Sequence, residues 1–275
     1  MDPFENVFAL TFGLWPAAVI VCALLNMLIT FKFSWSELVI DYLIGMVIGV
    51  CHYYGMVGSD IGGWEHFFLM VSTGLFGLLE WTGTIDMTSA NFYWLCVGCQ
   101  AGCVLLAGAA DYGAAAIGYS SAGEKGGNIA LSFLIILFKF PWALVTTGIG
   151  LCIGIIGLIY RATQSSPHGD GLGFAGGALW FEWGNPPYHA TTFGCVVNAF
   201  GGSVSDTLSH ELVHSRQYIY MHDWLGVFFF TIAGIWGVIS SAIADTNCIG
   251  TRYWDAHNTD EIGNPIEIVP THRYP

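Results

Sequence analysis

Seven stretches of this chain are apolar for longer than a water-soluble fold requires. They are residues 8–31, 37–58, 65–82, 91–118, 128–160, 189–209 and 224–244. About 20 consecutive apolar residues of helix cross a bilayer. Inside lipid the backbone must satisfy its own hydrogen bonds, so runs of this length read as helices. The expected fold is therefore all-α: a polytopic transmembrane helical protein with about 6–7 membrane segments. Residues 1–244 would form one transmembrane domain, and 245–275 a polar, extended tail. Composition agrees, because only 10% of the residues are charged and the mean hydropathy is +0.59. A soluble domain carries roughly 25% charged residues.

Two features punctuate the runs. "KFPW" at 139–142 interrupts the fifth, where proline should kink or end a helix. The fourth is rich in glycine and alanine, which suits close helix contact. The stretches 161–188 and 245–275 are the substantial polar connections. "ALWFEWGNPPYH" (178–189) sets Trp180, Phe181, Trp183 and Tyr188 beside a Pro-Pro turn. That reads as an interfacial elbow or a docking surface for another chain. The tail, too polar for a core of its own, is expected to be held by partner chains.

The formal charge of −13 excludes a nucleic-acid partner and a polybasic lipid patch. "MDPFENVFALTF" begins with two acids and no base, so neither a secretory signal nor a mitochondrial presequence is expected. The bases favour one side four to two and leave the orientation open: Lys32, Arg161, Arg252 and Arg273 against Lys125 and Arg216. Cys96, Cys99 and Cys103 put three thiols on one helical face, where they pack as small hydrophobes. Asp41, Glu65, Glu80, Asp111, Lys139 and Asp206 lie in or beside apolar runs. Such groups sit at the interface, bond a neighbouring helix, or serve a function.

One stretch carries chemistry. "SDTLSHELVHSRQ" (205–217) holds His-Glu-x-x-His. A spacing of four puts His210 and His214 on one helical face, a turn apart, where two imidazoles can share a metal. Nine histidines give this pattern by chance on the order of one time in a hundred, so an inherited metal site is the expected origin. As a zinc protease the site would use His210, His214 and a third ligand, His222 or Asp206. Glu211 would then be the catalytic base that activates water.

The flanks "SVSDTLSHELVHSRQYIYMHDWLG" resemble the first histidine box of the integral-membrane alkane monooxygenases. These are relatives of the fatty-acid hydroxylases and desaturases. Thr207, His210, Glu211, Leu212, His214 and Arg216 match, with the base displaced by Ser215, and Trp224 opens the next run. "LLEWTGTIDMTSAN" (78–91), "LIILFKFPWALV" (134–145) and "NTDEIGNP" (258–265) are similar to other parts of the family's N-terminal half. The resemblance implies a helical membrane scaffold and a di-iron ancestry.

The departures bear on activity. A di-iron centre of this family draws on about nine histidines. Where the second box belongs, this chain reads "IADTNCIGTRYWDAHNTDE", with His257 alone. His210, His214, His222 and His257 together would hold one metal, iron or zinc, and not a di-iron pair. Three outcomes follow. The chain is an accessory, non-catalytic membrane subunit with no metal cofactor, contacting lipids and other subunits. Or it is an iron oxygenase completed by a partner chain. Or it holds a single metal. The first is expected. The mitochondrial inner membrane is the expected location, from the missing presequence and the internal thiols.

Overall fold

The computed structural model describes residues 6–30, 33, 35–57, 64–85, 90–116, 129–167, 169, 171–175, 177–184, 190–199, 204–227, 235 and 239. Within these, the side chains at 30, 36, 57, 111–116, 175, 204–210 and 213 fall outside the description. The tail 245–275, most of the run 224–244, and the side chains of Asp111, Asp206 and His210 therefore lie outside the described residues.

The described chain is mostly helical. A first turn, α1 (Val7–Ala9), is capped by the Asn6 side chain and runs through a π-helical stretch into α2 (Trp15–Thr30). The helices α3 (Trp35–Val57), α6 (Ala90–Ala116) and α8 (Leu144–Ala162) follow. Four helical segments among the described residues are long and apolar enough to cross a membrane: Val7–Ile29, Glu37–Met56, Ala90–Ala110 and Leu144–Ala162. Leu24, Leu28, Val39, Leu43, Leu105 and Ile156 point outward from them.

Two of the runs each divide into two helices. Run 65–82 divides into α4 (Trp64–Thr73) and α5 (Leu75–Trp81) at Gly74, which has φ +58°. A Cβ there would lie 1.8 Å from the Pro141 carbonyl oxygen, so glycine permits both the turn and the contact. Run 128–160 breaks at the predicted place. α7 (Ile129–Lys139) ends in a 3₁₀ turn, Phe140–Trp142, before α8 begins.

The larger correction concerns 161–209. A four-stranded sheet forms here, which an all-α reading does not contain. Its strands are β1 (Leu172–Ala175), β2 (Ala178–Glu182), β3 (Ala190–Phe193) and β4 (Val196–Ala199), in the order β1-β2-β4-β3. Only β2 and β4 pair in parallel. Run 189–209 is thus a hairpin leading into α9 (Val204–Met221), and not a spanning helix. Trp180 and Phe181 are buried, so they are not a free docking surface; Tyr188 lies outside the described residues.

The sheet is covered on both faces. Gly150, Gly154 and Gly157 of α8 leave room for Phe193 and Val196, Phe181, and Trp183 respectively. On the opposite face Trp180, Ala190, Val197 and Ala199 cluster with Leu212 of α9. Alternate residues of β4 therefore face different helices, as the strand period requires. α9 also touches α2, α3, α6 and α7, and so stands between the helices and the sheet.

Candidate functional site

The candidate site lies on α9 and the two residues after it. α9 is the least apolar of the long helices, yet Glu211, Ser215, Arg216, Gln217 and Tyr220 are all buried. Buried polar groups need partners. Most of those of α9 are supplied by other elements of the same chain.

Glu211 turns onto the sheet. Its carboxylate Oε2 makes a short hydrogen bond with Thr192 Oγ1 of β3, and the same hydroxyl lies 3.1 Å from the Glu211 carbonyl oxygen. A hydroxyl has one hydrogen to give. It serves both contacts fully if it donates to the carbonyl while a neutral Glu211 donates to it. Burial supports that form, raising the carboxyl to about 7, with the Thr192 hydrogen bond pulling the other way. A base that activates metal-bound water must be ionised and face the metal. Glu211 instead faces β3.

His222 ends the helix. Its φ of +56° is the left-handed conformation that glycine usually supplies after a helix. Its amide donates to the Tyr218 carbonyl oxygen at 3.0 Å. The ring is held on every side. It stacks on Trp142, with centroids 5.2 Å apart, and meets the edge of Trp15 at 5.8 Å. Nδ1 donates to the Ser72 carbonyl oxygen, which can only accept. Nε2 must then accept, and the Gln100 side-chain amide donates to it. Burial holds this neutral ring down to about 4, with the Ser72 hydrogen bond opposing. Both nitrogens are engaged, so His222 offers no lone pair to a metal in this arrangement.

Asp223 continues the chain into α8. Its Oδ2 accepts from the Val145 amide at 3.1 Å, and Oδ1 from the Thr146 amide at 2.8 Å and the Thr146 hydroxyl at 2.5 Å. These are donors at the first turn of α8, whose own N-cap, Ala143, has no side chain to offer. Burial lifts the carboxyl to about 6, while the Thr146 and Val145 hydrogen bonds pull it back.

His214 is half-buried, and its Nδ1 lies 3.0 Å from Gln217 Oε1. Gln217 Nε2 donates to Glu37 Oε1 at 3.2 Å, and the Tyr220 hydroxyl donates to the same oxygen at 2.8 Å. The histidine box is thereby linked to α3. His210 takes its place one turn earlier on α9, while His257 lies outside the described residues.

Among the described residues, no three His, Cys, Asp or Glu side chains come together to hold a metal ion. Of the predicted set, His214 on α9 and His222 just after it are bound into different networks, and Glu211 faces a third direction. The described members do not fit a single metal centre. Thr192 as the partner of Glu211, Gln100 as that of His222, and the roles of Asp223 and Glu37 were not anticipated. Gln100, a polar residue midway along an apolar run, carried the one visible signal.

Compared with known proteins, the chain matches no protein-family model, no curated protein and no solved structure.

Proposed function

We propose that this chain is an accessory, non-catalytic subunit of a larger membrane assembly, with a scaffold derived from a membrane hydroxylase. One observation carries the reading: among the described residues, the chemistry-bearing side chains at and after the box are committed to internal structural bonds. Glu211 is tied to β3, His222 to α4 and α6, and Asp223 to the start of α8. An active centre keeps such groups aimed at one shared point. Here they diverge, each fastening a different element to α9.

Lipids are the first partners in this reading, covering the outward apolar faces of the four long helices. Other membrane subunits are the second. The mitochondrial inner membrane is the proposed location, supported by free thiols at Cys22, Cys51, Cys96 and Cys195 buried in apolar surroundings. Fractionation of organelle membranes tests that part separately.

The deciding experiment compares wild type with the His210→Ala/His214→Ala double variant, both purified in detergent. Metal content is read by mass spectrometry and assembly by native electrophoresis. The expected result is no stoichiometric metal in either protein and an intact assembly in both. Iron or zinc near one per chain, lost in the variant, overturns the reading in favour of a metal enzyme.

A further inference from the structure

A second polar cluster lies inside the membrane-spanning part of α3. Glu37 and Asp41 are one helical turn apart on the same face, and both are buried. Their surroundings differ sharply. Glu37 Oε1 accepts from the Tyr220 hydroxyl and the Gln217 amide. Asp41 is fully buried, and neither carboxylate oxygen has a hydrogen-bond partner among the described residues. A lone buried carboxylate is among the costliest groups a membrane protein can hold. Positive charge must reach it for the fold to tolerate it.

The neighbouring elements limit where that charge can come from. α9 presents Tyr220, the buried Arg216 and, beyond Gln217, His214. Cys22 is the one ionisable group of α2, and α1 with the π-helical stretch carries none. α4 carries Glu65 and His66, which pair with each other at 3.8 Å. Among the described residues of these elements, Arg216 of α9, beside Tyr220, is the one lysine or arginine.

We propose that Asp41, with Glu37 beside it, forms a binding site for one small monovalent cation, a proton or a sodium ion. Glu37 already accepts from Tyr220 and Gln217, which leaves Asp41 as the carboxylate without a partner among the described residues. The partnerless oxygens of Asp41 are where the cation binds: covalently if a proton, through both oxygens if sodium. The proposal needs neither a metal at the histidine box nor an assembly partner, although Gln217 joins Glu37 to His214, so it stands or falls apart from the proposed function.

The test uses the full chain in lipid nanodiscs and infrared difference spectroscopy of carboxyl groups. Wild type, Asp41→Asn, Glu37→Gln and Glu211→Gln are compared, because neutral Glu211 contributes a band of its own. Spectra and melting temperatures are recorded at neutral pH in choline chloride and in sodium chloride at equal ionic strength. If the occupant is a proton, wild type shows a protonated-carboxyl band that Asp41→Asn removes, Glu211→Gln retains, and sodium leaves unchanged. If it is sodium, adding sodium raises the wild-type melting temperature and shifts a carboxylate band, and Asp41→Asn does neither. The proposal is overturned if wild type shows no sodium response and no protonated-carboxyl band beyond the one Glu211→Gln removes. That last result needs only the wild type and a variant outside the cluster, so misfolding of Asp41→Asn does not protect the idea.

Discussion

His222 and Glu211 show how a residue type suited to metal chemistry can serve as a fastener. A non-glycine residue at φ +56° is held there against a conformational preference of about 1 kcal/mol or more. Two ring hydrogen bonds and two tryptophans over-determine the position. Glu211 is similar, with a carboxyl at about 7 against an ordinary 4.5. The folded state holds this proton more tightly than the unfolded chain does. Its contribution to stability is therefore full below 4.5, declines as pH rises towards 7, and is lost above that. The gap is worth roughly 3 kcal/mol. Glu211→Gln should remove this slope, so the variant gains on wild type as pH rises through that window in thermal melts. His222 acts in the opposite sense. Held at about 4 against 6.5, it contributes fully above 6.5 and loses that as pH falls through 4. His222→Asn should flatten the acid limb of the same melting profile. Thr192→Val, which leaves the Glu211 carboxyl without its hydroxyl, should cost about 1–3 kcal/mol at neutral pH.

Between elements, α8 fits closely on the sheet. A Cβ at Gly154 would sit 2.5 Å from the Phe181 ring, and one at Gly157 would sit 2.3 Å from the Trp183 indole nitrogen. Gly148, on the same helix, has nothing within 4 Å. Gly154→Ala should then destabilise by about 1–3 kcal/mol through overpacking. Gly148→Ala should be neutral or stabilise by up to about 1 kcal/mol through helix propensity. Melting temperatures of the two variants in one detergent check the contrast. The same region shows where the sequence was hardest to read. Strands covered on both faces lose the polar–apolar alternation that marks a half-exposed strand. "ATTFGCVVNA" therefore resembles a piece of spanning helix, although Gly194-Cys195 is a two-residue hairpin turn with glycine at φ +62°. The long single runs at 8–31, 37–58 and 91–118 were legible because length and hydropathy alone decide them. Run 65–82 was not, because its fold-back depends on Gly74 meeting Pro141, a contact 67 positions away along the chain.

At the scale of the molecule, α9 joins parts that hydropathy describes only separately. The sequence pointed to His210, Glu211 and His214 as one site because the spacing of a motif is local. Glu211 is redirected by Thr192 of β3, and the residues that follow the motif are held from α3, α4, α6 and α8; no local pattern contains those partners. The network makes α9 a keystone: Glu211, Gln217 and Tyr220 are buried at little cost only while their partners stay in place. An active-site helix facing a channel would instead lie near water and open locally, as functional elements commonly do. Hydrogen–deuterium exchange in detergent separates the two. The amides of 211–221 should exchange as slowly as those of α2 and α3, although α9 is far more polar than either. Asp223→Ala removes the cap of α8 and one anchor of α9 together. It should speed exchange at the start of α8 and along α9 alike, and lower stability by about 1–2 kcal/mol. Adding a metal chelator should change neither pattern. If the chelator alone loosened 211–221, α9 would owe its order to a bound ion instead of to the strands and helices around it.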